Sequence, residues 1–402
     1  MNNEFPTIEL SEIADIRYGY TASASFECSG PRFLRITDIQ DGDVDWEKVP
    51  SCEIDSDDHA KHKLRVGDLV FARTGATTGK SYLILDEIDA IPASYLIRVR
   101  IHSDLIDARF VSYYFQSPAY WSSITAGTTG SAQGGFNASK LGALRIPSPP
   151  IDQQMRIVKF LDEAFEEVAK AKADAARGLT STSELFSAVL NSKFSNQSGW
   201  RSFELGQEVR FIDYRGKTPP KRPEGIRLIT AKNVKQGFVQ RAPEEFIDPS
   251  CYDDWMTRGF PEFGDVLFTT EAPLGNVAQL DTDETVVIGQ RLITMQTNQS
   301  DLRNEFLKWL LMSPAVQAEI WSRATGATVQ GIKAKLLKQV PLSVPSIEEQ
   351  DLICRDLQAV WDWAERLKAI YKEKSAGLDE LKSSLLHRAF SGEFFTAEGI
   401  AA

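Results

Sequence analysis

The segment Ala72 to Ile84, ARTGATTGKSYLI, sets two glycines, a lysine and a hydroxyl residue after an apolar run, which are the residue types of a phosphate-binding loop. Such a loop needs four residues between its glycines, so that successive backbone N–H groups surround a phosphate, and then Lys and Ser/Thr. Gly75 and Gly79 have only three between them. A nucleotide-binding enzyme built on Gly75 to Ser81 is therefore the weaker reading. The better one is a glycine-bearing turn that closes a hairpin after the strand-like run DLVFA. A turn tip carrying Arg73, Thr77 and Lys80 can still touch a nucleic-acid phosphate. Elsewhere no methyltransferase motif of the NPPY or FxGxG kind and no nuclease set of spaced acids with ExK is recognisable, so no catalytic constellation emerges.

The chain that must position these residues is written twice. FVSYYFQSPAYW from Phe110 matches FLKWLLMSPAVQ from Phe306, a displacement of 196 residues. The same displacement carries Gly135 onto Gly331, Leu141 onto Leu337, Pro149 onto Pro345, Gln154 onto Gln350, Leu161 onto Leu357 and Phe194 onto Phe390. Upstream the register drifts by about a residue: GDLVFARTGATTG faces GDVLFTTEAPLGN, and FLRITDIQDG faces LITAKNVKQG. Each half thus has a drifting front and a fixed back, as a variable domain on an invariant connector would. The second copy keeps Gly275 but has no lysine-serine pair after it, which further weakens the nucleotide reading. It also has no histidine opposite His59 and His62, so a metal site formed by these with Cys52 gives way to a solvated loop.

The front of each half alternates short β-branched or aromatic runs with Gly, Asp and Pro, which predicts a mixed or mostly antiparallel sheet. The back is helical. Ile157, Leu161, Val168, Leu185 and Val189 in the first copy, and Ile353, Leu357, Leu367, Leu378, Leu381 and Leu385 in the second, fall at heptad-like spacings and are assigned to helix pairing. About 40 residues at ~1.5 Å rise make a rod of roughly 60 Å. A lone heptad helix leaves its stripe wet, so the two rods should pack on each other, antiparallel because the globular insert lets the chain return. Gly178 and Gly377 fall in mid-helix, each costing about 1 kcal/mol. The expected fold is α+β: two similar globular α/β domains separated by two long antiparallel helices in a coiled coil, with an internal pseudo-two-fold repeat. The boundaries are 1–150 for the first domain, 151–195 for the first helix, 196–346 for the second domain, 347–395 for the second helix and 396–402 for a tail.

The 402-residue chain carries a formal net charge of -11, which by itself argues against nucleic acid. The distribution says otherwise. No acid occurs between Asp107 and Asp152, where Arg109, Lys140 and Arg145 fall, or between Glu319 and Glu348, where Arg323, Lys333, Lys335 and Lys338 fall. A third stretch, Arg210 to Arg222, includes Arg215 and Lys217 against a single Asp213. Four scattered cysteines without a CxxC pair, and no apolar run near the ~18 residues of a membrane span, point to a reduced, cytoplasmic protein.

Polar and basic residues recur at strand ends and loops in both copies. Arg35, Thr37 and Asp38 stand opposite Thr230, Lys232 and Asn233; Ser131 and Gln133 lie near Gln330; Asn137 stands opposite Lys333, and Asn276 belongs to the second hairpin tip. Arg, Lys, Asn and Gln read base edges, and Thr, Ser and Lys commonly contact phosphate. Together with Arg73, Thr77, Lys80, Arg215 and Lys217 they form the candidate DNA-binding set.

The segments GDLVFARTGATTGKSYLI, LRIPSPPIDQQMRIVKFLD and LNSKFS, with GDVLFTTEAPLGN, VPLSVPSIEEQDLICRDLQ and LKSSLLHRAFSGEF in the second half, resemble the specificity subunit of type I restriction-modification systems across essentially the whole chain. Gln153-Gln154 stands where that family usually has Glu-Gln. The resemblance implies a bacterial or archaeal, non-catalytic subunit with two target-recognition domains, each reading one half of a split double-stranded DNA sequence. It further implies that the long helices act as a ruler and dock two modification subunits, and that restriction subunits join the complex. S-adenosylmethionine, ATP and Mg would then belong to partner subunits, with none in this chain. The alternative is a coiled-coil scaffold whose duplicated domains bind protein.

Overall fold

The computed structural model describes residues 5–40, 42–128, 135–214 and 219–393. The chain forms two compact units, residues 1–175 with 373–402, and residues 176–372. One helix runs over Ile151–Ser195 and a second over Ile347–Phe390. The unit boundaries fall inside them, so each unit consists of one globular domain, the start of the helix that follows it and the end of the other helix.

In the first unit a four-stranded antiparallel sheet has the order Ala14–Tyr18, Leu96–Ile101, Asp68–Ala72, Ser81–Leu83. All five residues of Asp68–Ala72 are buried, because both faces of the strand are covered. Leu69 and Phe71 join a core with Phe110, Leu161 and Phe390, while Val70 and Ala72 join one with Leu34, Ile39 and Tyr82. This is why the strand reads as an apolar run without alternation. Gly67, at φ +89°, turns the chain into the strand, and the Asp68 carboxylate accepts the Arg65 N–H at 2.9 Å and pairs with Arg100 at 2.7 Å. A short parallel pair, Arg32–Leu34 with Ala90–Pro92, lies outside this sheet. The antiparallel pairing of Thr7–Glu9 with Arg145–Pro147 closes the domain just before the long helix.

The second unit repeats the plan. Its central sheet has the order Val209–Asp213, Leu292–Thr297, Val266–Thr270, Leu274–Gln279, and Arg201–Glu204 pairs with Pro341–Val344 to close the domain. Gly264, at φ +83°, and Asp265 occupy the places of Gly67 and Asp68. Asp265 accepts the Glu262 N–H at 2.8 Å and Gln296 Nε2 at 2.7 Å. Burial holds its carboxyl above the usual range.

Each domain is pinned to its helix by one glutamine. Gln154, fully buried, accepts the Asp107 N–H at 2.9 Å and donates to the carbonyls of Leu105 at 2.8 Å and Pro149 at 2.7 Å. Gln350, equally buried, accepts the Arg303 N–H at 3.0 Å and donates to Asp301 at 3.1 Å and Pro345 at 3.0 Å. Every partner is displaced by the same 196 residues.

Within each unit the two helices run antiparallel, since partners on one fall in number as those on the other rise. In the first unit Lys382 lies 4.9 Å from the Phe165 ring centroid and Lys172 pairs with Asp379 at 2.7 Å. In the second, the rings of Phe186 and Trp361 are 5.0 Å apart and Lys193 pairs with Asp356 at 2.5 Å. Ile157, Leu161, Val168, Ile353 and Leu357 are buried; Val189, Leu367, Leu378 and Leu385 are half-buried. Two seam assignments require correction: Leu185 is 48% exposed and Leu381 46%, and Phe186 and Leu386 hold the buried positions. The cause is a change of neighbour. The end of the first helix packs Phe186, Leu190 and Phe194 on the second domain, and the end of the second packs Leu386, Ala389 and Phe390 on the first, so the buried face leaves the heptad phase.

Candidate nucleic-acid interface

The strand Asp68–Ala72 ends in a tip, Arg73 to Lys80, containing one 3-10 turn at Gly75–Thr77, and returns antiparallel as Ser81–Leu83. A phosphate loop aims consecutive N–H groups into its ligand. Here those of its second half are consumed internally: Thr78 donates to Gly75 O at 3.1 Å, Gly79 to Ala72 O at 2.9 Å and Lys80 to Thr77 O at 3.0 Å. The segment is a hairpin turn between paired strands, which disfavours the nucleotide alternative.

The glycine serves close packing. Gly79 has φ +97°, and a Cβ there would stand 2.8 Å from Trp121 and 2.9 Å from Ile124 of the helix Pro118–Thr128. The buried Tyr120 hydroxyl donates to Gly79 O at 2.6 Å. In the second unit Gln317 Nε2 donates to Gly275 O at 2.9 Å, and a Cβ on Gly275 would meet Gln317 Oε1 at 2.6 Å. Two different side chains thus fix the same glycine carbonyl. The following loop returns to the tip in both units: Phe136 N–H donates to Arg73 O, and Ile332 N–H to Thr270 O, both at 2.9 Å.

The structure divides the candidate residues into those that build this rim and those that stand open on it. Asn233 requires correction. It is fully buried, its oxygen accepts Thr230 N–H and Oγ1 at 3.0 Å, and Nδ2 donates to the carbonyls of Gln240, Arg241 and Pro243. Nothing remains for a base edge, because a side-chain amide saturated by its own loop is structural. Asp38 does the same work in the first unit, accepting the Arg35 N–H at 2.8 Å and pairing with its guanidinium at 2.6 Å, which raises the pKa of Arg35. Arg73 donates to Ser94 O at 3.0 Å and lies 5.0 Å over the Tyr18 ring; Thr77 Oγ1 donates to Thr74 O; Asn276 donates to Val234 O at 3.0 Å. Asn137 caps the helix Ala138–Gly142 through Lys140 N–H at 2.9 Å, and Gln330 donates to Gly326 O within its own loop. Thr37, Lys80, Lys232 and Lys333 are exposed, and Thr230 is half-buried. Ser131, Gln133, Arg215 and Lys217 lie outside the described residues.

The acid-free stretches are not one cationic face. Arg109 pairs with Asp162 at 3.1 Å, Arg145 donates to Thr7 Oγ1 at 2.8 Å, and Arg323 pairs with Glu319 across one helical turn. Lys338 lies 5.2 Å from the Phe211 ring. What converges on the second tip is a cleft of about 460 Å³ lined by Thr270, Glu271, Gln290, Arg291, Thr325, Gly331 and Lys333. It offers guanidinium and ammonium donors beside carboxylate and amide acceptors, the groups that bind phosphates and base edges. Of these only Lys333 belongs to the candidate set. The repeat register aligns Ser94-Tyr95-Leu96 with Gln290-Arg291-Leu292 and is the signal that could have drawn attention to Arg291.

Duplicated mixed-sheet domains, each packed within its own unit on an antiparallel pair of helix segments, define a recognition subunit built from two similar units. The chain belongs to the family described as Type I restriction modification DNA specificity domain, which matches residues 2–175 and 257–373, and it is a specificity subunit of such a system. It is 24% identical to the "Putative type I restriction enzyme MjaX specificity subunit" of Methanocaldococcus jannaschii, over 96% of this chain and 92% of that one. It is 23% identical to the type I restriction enzyme EcoKI specificity subunit of Escherichia coli, over 72% of this chain and 66% of that one. Two solved structures share the fold. A chain of a type I restriction-modification assembly has a TM-score of 0.74 at 20% identity, covering 96% of this chain and 97% of that one. The HsdS subunit from Thermoanaerobacter tengcongensis has a TM-score of 0.54 at 19% identity, with 97% of each chain covered. Among the described residues no helix is long and apolar enough to cross a membrane.

Proposed function

We propose that each unit reads one short block of a bipartite double-stranded DNA target through its hairpin tip, the adjoining turn and the loop tied to that tip. The observation that carries this reading is the contrast between pins and rim. Gln154 and Gln350 hold identical networks, whereas the rim differs: exposed Lys80 on one tip stands where half-buried Asn276, donating to Val234 O, stands on the other. A shared frame with different contact chemistry suits two modules that recognise two different sequences.

The helix pair then serves as spacer and as the platform for two modification subunits, with restriction subunits joining the same assembly. This chain contributes addressing and no catalytic group. Adenine methylation requires a base taken out of the stack, and its S-adenosylmethionine belongs to the modification subunits. ATP and Mg belong to DNA translocation and cleavage by the restriction subunits, in a bacterial or archaeal cytoplasm.

The test is binding of duplex DNA by the full chain together with its modification subunits across a salt series. Affinity should fall linearly in log-log form, with a slope set by the number of phosphate contacts. Salt-insensitive binding, or none, would favour a protein-binding scaffold.

A further inference from the structure

The cleft at the second tip holds a residue in an unusual backbone state. Arg291 has φ +67°, a left-handed conformation uncommon for a side-chain-bearing residue outside Asn, Asp and His. It is held there from two sides. Thr270 N–H donates to Arg291 O at 2.9 Å, and Glu271 Oε1 stands 2.9 Å from Arg291 Nε. The guanidinium is oriented yet stays open, with its side chain 52% exposed and no hydrogen bond to its Nη groups among the described residues. Strain of this kind persists where the surroundings over-determine it, commonly at ligand sites.

The internal repeat supplies a comparison. Arg73 N–H donates to Tyr95 O at 3.1 Å, so Tyr95 occupies in the first unit the backbone place that Arg291 occupies in the second. Tyr95 is 60% exposed. The carbonyl hydrogen bond is shared, the positive φ belongs to Arg291 and not to Tyr95, and the residue at the rim has changed from phenol to guanidinium.

We propose that Arg291 is a base-reading residue of the second unit, positioned by Glu271 to contact a guanine of a G·C pair in the major groove. This rests on the DNA-reading function proposed above and deepens it. An arginine whose Nε is ion-paired to a carboxylate leaves its two terminal nitrogens as a fork, which matches O6 and N7 of guanine. The neighbouring Glu271 carboxylate matches the cytosine N4 amine of the same pair. A phosphate would use the fork but gives the carboxylate only repulsion, so the pairing of Glu271 with Arg291 favours a base over the backbone.

The experiment is selection of binding sites from a randomised duplex pool by the full chain with its modification subunits, for the wild type, Arg291→Gly, Arg291→Lys and Glu271→Ala. Glycine accepts the positive φ, so the first variant removes the fork without backbone strain, and recovery of the first block serves as a folding control. The assignment predicts that Arg291→Gly loses the guanine preference at one position of the second block, by roughly 5- to 150-fold, and that Arg291→Lys, which lacks the planar fork, relaxes it, with every other position kept. Glu271→Ala should broaden that same position alone, which a merely structural role would not do. Should Arg291→Gly lose the second block entirely, Arg291→Lys decides by whether the one position relaxes. An unchanged motif with uniformly weaker binding, and a salt slope lower by about 1, would make Arg291 a phosphate contact and overturn the assignment. An unchanged motif with unchanged affinity would overturn it too. A wild-type pool without any enriched motif would overturn the DNA-reading function itself, and this assignment with it.

Discussion

The side-chain oxygen of Gln154 accepts the backbone N–H of Asp107 at 2.9 Å, joining the first turn of a long helix to the cap of a domain helix that begins one residue later. Gln154 is fully buried and its bond to Pro149 O lies in the interior, while the Asp107 and Leu105 bonds are partly buried. Gln154→Leu should therefore leave one donor and two acceptors unpaired and cost about 2–3 kcal/mol. Gln350→Leu should cost the same in the second unit. Denaturant unfolding of the full chain checks both, and a loss below about 0.5 kcal/mol would show the pins to be dispensable.

The two mid-helix glycines should respond in opposite directions. A Cβ on Gly178 would run into the Tyr371 ring, whereas one on Gly377 meets nothing. Gly377→Ala is expected to stabilise by about 1 kcal/mol through helix propensity. Gly178→Ala should destabilise, because the ring must leave the helix interface. Thermal unfolding of the two variants, side by side, distinguishes them.

At the hairpin tips the same substitution should cost more at one place than the other. Gly79→Ala meets Trp121 and Ile124, while the tight contact of Gly275→Ala is with the far end of Gln317, which can shift at the cost of its hydrogen bonds to Gly275 O and Leu311 O. Both glycines have positive φ, so each variant also carries about 1 kcal/mol of backbone strain. The loss of melting temperature should be larger for Gly79→Ala.

Lys308 gives a pH-dependent prediction. It is 5% exposed, with Nζ 3.8 Å from the Trp309 ring centroid, and burial pushes its pKa down from 10.5 to about 8. Below pH 8 both folded and unfolded chains hold the proton, and the folded one bears the cost of a buried charge. Between about 8 and 10.5 the folded chain loses the proton first, so stability rises with pH. Lys308→Met should stabilise by about 1–3 kcal/mol at pH 7, the Trp309 face offsetting part of the cost of the charge. The gain should shrink toward pH 10. A gain that is constant over this range would contradict the account.

The duplication was legible in the sequence because the pins and helix starts keep one register: Gln154 with Gln350 and Pro149 with Pro345 can be matched by counting. The GD turn and the apolar run after it also announced the central strand, since an Asp capping its own turn and a strand covered on both faces leave a strong local pattern. Two things were hidden. The seam slipped from Leu185 to Phe186 in the first helix, and in the second it left Leu381 exposed and Leu386 buried, because a helix end that packs on a sheet domain obeys that domain's contacts and not a heptad. Asn233 looked like a base reader because polarity alone does not tell a side chain facing DNA from one saturated by its own turn. Arg291 carries no such local signature, since its interest lies in backbone strain and an ion pair with Glu271 at the adjoining ends of two neighbouring strands.

Whether two modules of one chain each read their own block of DNA is decided by mapping adenine methylation in a host genome that expresses this chain with its modification subunits. One motif made of two defined blocks separated by unread bases, absent without this chain, is expected. Methylation of a single contiguous motif, or a pattern unaffected by removing the chain, would contradict it.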